Sequence, residues 1–87
     1  MFFKEVDMSP EEIFAHNVKS CREAKDLTQR ELAVEILGYP EELLRKVEEG
    51  NTAECSISFY VNIAKFFEVS VDDLFTNRHL SYQISCD

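Results

Sequence analysis

The stretch from Leu27 to Gly50 decides the fold, and it reads LTQRELAVEILGYPEELLRKVEEG. Thr28 and Glu31 have the spacing of a capping box, in which each side chain bonds to the other residue's backbone N–H at a helix start. Gly38 is placed to end that helix, because glycine readily adopts the left-handed conformation that closes one. Pro40 suits the first turn of a second helix, since its missing N–H costs nothing there. The stretch therefore predicts two short helices joined by a tight turn.

Apolar residues recur at helical spacing in both of these helices, which predicts that each helix buries one face. In the helix before Gly38 the predicted inward residues are Leu32, Ala33 and Ile36. In the helix after Pro40 they are Leu43, Leu44 and Val47.

A further helix is predicted before this stretch. Ser9 and Glu12 form another capping box, and Pro10 occupies the first helical position. The predicted core stripe of this helix is Phe14, Val18 and Cys21. His16 lies away from that stripe and is expected to face solvent.

Two more helices are predicted after a polar loop at residues 51–55. One apolar stripe, expected to be buried, consists of Ile57, Tyr60, Val61, Ala64 and Phe67. A second stripe consists of Phe59, Ile63 and Phe66. This fourth helix is therefore either the central helix of the core or a core helix that also meets a partner. Ser70 and Asp73 resemble a further helix start and predict a short fifth helix through Leu74 and Phe75.

The two ends of the chain have a different pattern. Leu80, Tyr82 and Ile84 alternate with polar residues, which is the period of a strand, and Phe2 to Val6 is also compatible with extended structure. The alternative is a disordered tail. We expect an all-α, five-helix, single-domain fold over residues 1–87, with short strands as an option at the termini. Its core would span 9–75, its helix-turn-helix 28–50 and its C-terminal extension 76–87.

The charge of the chain is strongly acidic. Seventeen acidic residues against nine basic ones give a net charge of −8. A duplex-binding domain usually has the opposite sign, and acidity opposes non-specific nucleic-acid binding. The first residues lack an apolar signal sequence, and no stretch is apolar enough to span a bilayer, so we expect a soluble, cytoplasmic protein.

Neither a metal centre nor an active site is predicted. Cys21, Cys55 and Cys86 are more than thirty residues apart, which matches neither zinc-ligand nor redox spacing. His16 and His79 have no acid or cysteine partner at a recognisable spacing. We therefore expect no enzyme activity and no cofactor, with Cys21 acting as a small buried hydrophobe.

Between about Phe14 and Phe75 the chain resembles the phage-repressor and Cro-like (XRE-type) family of helix-turn-helix regulators. The matching residues are Val18, Cys21-Arg22, Leu27-Thr28-Gln29, Glu31-Leu32-Ala33, Gly38, Val47-Glu48-Glu49-Gly50, Ile63-Ala64 and Val69 to Leu74. The chain departs from the family pattern at two places. One residue is inserted between Ala33 and Gly38, and another between Gly50 and Ile57, where the family's loop proline is missing.

This resemblance implies a homodimeric DNA-binding transcriptional regulator whose third helix, at about 40–49, enters the major groove of double-stranded DNA. The implied DNA-contacting residues are Thr28, Gln29, Arg30, Glu41, Glu42, Leu43, Arg45, Lys46 and Asn51. No small-molecule effector is expected. The resemblance also implies a structural ion pair between Arg22 and Glu48. The predicted dimer surface consists of Phe59 or Phe66 with Leu80, Tyr82 and Ile84.

Six of the implied DNA-contacting residues also have a purely structural interpretation. Thr28 caps a helix whatever the function, and Gln29 is also compatible with a solvated first turn. Glu41 and Glu42 at a helix start, and Arg45 with Lys46 near its end, stabilise the helix dipole without DNA. The alternative function is a protein-interaction module on a helix-turn-helix scaffold, antitoxin-like or anti-repressor, with little DNA binding. The acidic third helix favours this alternative.

Overall fold

A computed structural model describes residues 8–76 and residue 80 of the chain. It contains five helices, which we number α1 (Pro10–Ala24), α2 (Glu31–Leu37), α3 (Glu41–Glu48), α4 (Ile57–Phe67) and α5 (Val71–Thr76). The prediction of an all-α, five-helix domain is therefore confirmed. The possible strand at residues 2–6, and Tyr82 and Ile84, lie outside the described residues. None of the described helices has the length and apolar character needed to cross a membrane.

The predicted capping residues begin the helices as expected. Ser9 Oγ accepts from the backbone N–H of Glu12 at 3.2 Å, and the Glu12 carboxylate accepts from the Ser9 N–H at 2.9 Å. Thr28 and Glu31 make the same reciprocal pair at 3.0 and 2.9 Å. Ser70 Oγ accepts from the backbone N–H three residues later at 3.0 Å. These starts are local effects, which is why sequence spacing alone predicts them.

The core lies where α1 packs against α3 and α5. Its buried apolar members are Phe14, Val18, Cys21, Leu32, Ala33, Leu44, Val47, Phe59, Ile63, Ala64, Phe67, Leu74 and Leu80. The Phe14 ring stacks on Phe75 with 4.7 Å between centroids and contacts Tyr60 edge to face. Burial raises the pKa of the Cys21 thiol to about 11. This thiol therefore stays neutral near pH 7. The prediction that Cys21 is a small buried hydrophobe is confirmed.

One buried polar side chain attaches α5 to α1. Asn17 is fully buried, and its Nδ2 donates to the Leu74 carbonyl at 2.9 Å. Burying an amide costs free energy unless it is hydrogen-bonded, so the Nδ2 contact favours this position of α5 against α1. Among the described residues, Asn17 Oδ1 is buried without a hydrogen-bond partner.

Helix α2 differs from the prediction because it is π-helical. In a π-helix the N–H bonds to the carbonyl five residues back, so each turn takes one more residue than an α-turn. The Gly38 N–H accordingly bonds to the Ala33 carbonyl. The predicted inward position of Ile36 is wrong, since Ile36 is exposed and Leu37 is half-buried. Leu32 and Leu37 are five residues apart, which is the π spacing. The residue inserted before Gly38 is thus absorbed inside α2.

The buried face of α4 also differs from the prediction. Ile57 is 76% exposed and Val61 38% exposed, whereas Phe59 and Ile63 are fully buried. Apolar residues surround most of this helix, so periodicity alone could not select its inward face. The ring of Phe59 lies 5.1 Å from the ring of Tyr39 between centroids. The stripe that contains Phe59 and Ile63 is therefore the one that faces the core.

This orientation overturns part of the predicted dimer surface. Phe59 and Leu80 are both fully buried in the core, so their assignment to an interface is wrong. A side chain already removed from water gains no further apolar burial from a partner. Phe66 is half-buried, and its ring lies 5.0 Å from the ring of Phe67 between centroids. The Lys25 ammonium lies 5.8 Å from the centroid of the Phe66 ring.

Candidate nucleic-acid interface

The turn between α2 and α3 is held by backbone geometry and by contacts of Tyr39 with α4. Gly38 has φ +80°, in the left-handed region, where a residue with a Cβ would be strained. The next N–H, of Tyr39, donates to the Ala33 carbonyl at 2.8 Å. The Tyr39 hydroxyl accepts from Asn62 Nδ2 on α4 at 3.1 Å. The turn is therefore fixed at both ends, and α3 leaves it in a defined direction.

A second attachment, which we call the Arg22 network, joins α1, α3 and the segment that leads into α2. It consists of Arg22, Gln29, Glu48 and the Leu27 carbonyl. Arg22 Nε and Nη2 donate to the two Glu48 carboxylate oxygens at 2.8 and 3.0 Å, and Nη1 donates to the Leu27 carbonyl at 2.6 Å. The side chains of Arg22 and Glu48 are only 11% and 3% exposed. The hydrogen bond with Glu48 raises the pKa of Arg22 above its ordinary value.

Gln29 belongs to this network. Its Nε2 donates to Glu48 Oε1 at 2.9 Å, so one end of the amide is committed to the protein. Thr28 and Arg30, on either side, are exposed. The Arg30 Nε lies 3.9 Å from a Glu35 carboxylate oxygen. Glu48 thus holds the helical residues 29–30, directly before α2, beside the end of α3.

The third helix divides into a buried face and a charged face. Leu44 and Val47 are fully buried, and Leu43 and Lys46 are half-buried. The exposed residues are Glu41, Glu42, Arg45 and, at its C-terminal end, Glu49. The predicted reading residues therefore lie on one outward face, with Leu43 at its edge.

The model of the helix-turn-helix family matches residues 18–74, which is most of the chain. The chain belongs to the helix-turn-helix family of DNA-binding regulators. This match confirms the resemblance to XRE-type regulators. No curated protein and no solved structure matched the chain.

Ion pairs within the helix-turn-helix were not predicted. Arg45 lies between two carboxylates, and we call this group the Arg45 cluster: Glu42, Arg45 and Glu49. Arg45 Nε donates to Glu42 Oε1 at 3.2 Å, and Arg45 Nη2 donates to the other Glu42 oxygen. Arg45 Nη1 donates to Glu49 Oε2 at 3.0 Å. The hydrogen bond from Arg45 holds the pKa of Glu42 below its ordinary value.

Lys46 and Arg30 have carboxylate partners as well. The Lys46 ammonium lies 3.3 Å from Glu54 in the loop after α3, and Arg30 pairs with Glu35 as described above. Every basic residue between 28 and 50 therefore has a carboxylate within 4 Å. Spacings of three and four residues along α3 could have predicted the Arg45 cluster. The Lys46 contact depends on the path of a loop, and spacing carries no signal for it.

Asn51 has a turn-forming role in the structure. Its Oδ1 accepts from the Ala53 N–H at 3.1 Å, and its own N–H donates to the Lys46 carbonyl at 2.9 Å. It closes the C-terminal end of α3 while remaining exposed. If Asn51 contacts the sugar-phosphate backbone of DNA, the donor is its side-chain NH2 group, because its Oδ1 and its backbone N–H bond within the protein.

Proposed function

We propose that this protein is a sequence-specific transcriptional regulator that places α3 in the major groove of duplex DNA. The observation that carries this proposal is the Arg22 network, which attaches the end of α3 to α1 through two nearly buried side chains and, through Gln29, to the segment that leads into α2. The opposite face of α3 is left outward with Glu41, Glu42 and Arg45 exposed. A rigid helix with a polar outward face is what base reading in a groove requires. We also propose a cytoplasmic location, as expected of a DNA-binding regulator of this family.

Attraction to phosphates contributes little to this binding. The chain carries a net charge of −8, and the bases between 28 and 50 are already paired with carboxylates. With only about two to four phosphates neutralised per subunit, log Kd should change little with log salt concentration. Affinity would then depend mainly on one favoured sequence. A selection from random duplexes at low salt tests this, and we expect it to enrich a defined site.

The acidic first turn of α3 should suppress binding to random DNA. Glu41→Gln combined with Glu42→Gln removes two carboxylates from the outward face, so we expect tighter binding to random duplex by fluorescence anisotropy. Glu11→Gln combined with Asp72→Asn is the matched control, because it makes the same charge change outside residues 28–50. An equal gain in both double variants would assign the effect to net charge alone.

A protein-interaction module is the second candidate function. It is favoured by the pairing of Arg30, Arg45 and Lys46 with Glu35, Glu42 and Glu54, which removes free positive charge from the helix-turn-helix. If the selection enriches no sequence, and the Glu41 and Glu42 double variant gains no affinity for any duplex, this function replaces DNA reading.

We also propose that the regulator is a homodimer formed through α4. Ile57 and Val61 are four residues apart, on one exposed side of this helix. Lys65 is the only charged residue within Ile57–Phe67, so two copies meeting there would not bring carboxylates together. The sedimentation velocity of Val61→Glu should be that of a monomer. Val34→Glu is the matched control, since Val34 is 40% exposed on α2 and Val61 is 38% exposed. A monomeric wild type at high micromolar concentration would contradict the dimer.

A further inference from the structure

The Arg45 cluster leaves two donors of its guanidinium unused. An arginine side chain has five N–H donors, one on Nε and two on each Nη. Glu42 takes the Nε donor and one Nη2 donor, and Glu49 takes one Nη1 donor. One donor therefore remains on each terminal nitrogen. Two donors on neighbouring nitrogens are what bidentate contact with guanine O6 and N7 requires.

Glu42 retains acceptor capacity beside these donors. An ionised carboxylate has about four lone-pair sites, and Arg45 occupies one on each oxygen of Glu42. The exposed pair thus presents acceptors and donors next to each other on one face of α3.

A C·G base pair has the complementary arrangement in the major groove. Cytosine offers the N4 amine as a donor, and guanine offers O6 and N7 as acceptors. N4 and O6 are hydrogen-bonded to each other, so they lie about 2.9 Å apart. Arg45 Nη2, which keeps a donor, and Glu42 Oε2, which keeps acceptor capacity, are likewise hydrogen-bonded neighbours.

We propose that Glu42 and Arg45 act as one preformed unit that reads a C·G base pair. Arg45 would donate to guanine, Glu42 would accept from cytosine N4, and Glu49 would hold the guanidinium in place. Reading requires neither ion pair to break, so the unit reaches the groove already oriented. This inference rests on the proposed function, since it names the base pair that α3 recognises.

The rest of α3 supports a G·C-containing site over an A·T-rich one. Adenine is read most specifically by Asn or Gln, and neither occurs within Glu41–Glu48. The apolar residue nearest the outward face, Leu43, is half-buried and packs against the core, so it is poorly placed to contact a thymine methyl group.

The test uses the full chain and the sequence enriched by selection from random duplexes. We expect an enriched C·G pair whose replacement by T·A raises Kd by about 10- to 100-fold, the range of one good bidentate contact. A duplex with 7-deazaguanine at that guanine lacks the N7 acceptor and should also bind several-fold more weakly. Arg45→Ala should remove both penalties, because the side chain that discriminates is gone. Glu42→Gln should shift the selected base toward adenine, whereas Glu11→Gln should leave the selected site unchanged.

The outcomes separate this inference from the proposed function. Enrichment of a site without a C·G pair would overturn the inference and leave DNA reading intact. The same follows if Arg45→Ala, folded by circular dichroism, keeps the full T·A and 7-deazaguanine penalties. If no sequence is enriched, the proposed function fails, and this inference fails with it.

Discussion

Two arginines of this domain make chemically similar bonds in opposite surroundings. Arg22 on α1 forms a bidentate pair with Glu48, which is 26 residues away in sequence, and the two side chains are 11% and 3% exposed. Arg45 forms a bidentate pair with Glu42 inside α3 and is 44% exposed. Water screens the second pair but hardly reaches the first. The same bond is therefore structural in the Arg22 network and available to a partner in the Arg45 cluster.

The largest expected effect is on stability, from removing the buried arginine. Arg22→Met should lower the free energy of unfolding by about 3–5 kcal/mol, because Glu48 would be left buried without its cation. Arg45→Met makes the same substitution at the exposed pair and should leave the urea midpoint unchanged, since exposed ion pairs contribute little.

A second variant distinguishes the charge from the packing of the arginine. Arg22→Met combined with Glu48→Leu removes both charges and should recover much of the lost stability, as apolar replacements of buried pairs often do. If Arg22→Met and Arg45→Met have the same urea midpoint, the contrast between the two sites is wrong.

An intermediate effect is expected at Gln29, which donates to the same carboxylate. Gln29→Ala removes one hydrogen bond to a charged acceptor from a half-buried position and should cost about 1 kcal/mol. Arg30→Ala is the neighbouring control, and its exposed side chain should leave thermal unfolding unchanged. Equal melting temperatures for Gln29→Ala and the wild type would remove Gln29 from the Arg22 network.

The smallest effect concerns pH at the exposed pair. The pKa of Glu42 is lowered because Arg45 donates to its ionised form. The pair therefore adds stability above the ordinary pKa of glutamate, and this stability is lost as pH falls through the lowered pKa. An NMR titration of the Glu42 carboxyl carbon should have its midpoint below the ordinary value. In Arg45→Met the midpoint should return toward it, and an unmoved midpoint would contradict the assigned cause.

The cases in which prediction failed have a common cause. Ile36 was expected inward because the spacing from Leu32 is four, but the π-helical turn brings the fifth residue round to that face. On α4 two apolar stripes competed, and contacts with Tyr39 and the rest of the core decided between them. Phe59 was consequently assigned to a surface that it does not reach.

The amino-acid sequence by itself determined the helix starts, the turn glycine and the family. Capping boxes at Ser9 and Thr28 act within four residues, so spacing is sufficient to find them. Only the tertiary structure decided which face of α4 is buried, how α2 takes in its extra residue and where each basic side chain finds its carboxylate. These outcomes depend on contacts between segments distant in sequence. Lys46 reaches Glu54 only because the loop after α3 folds back toward it.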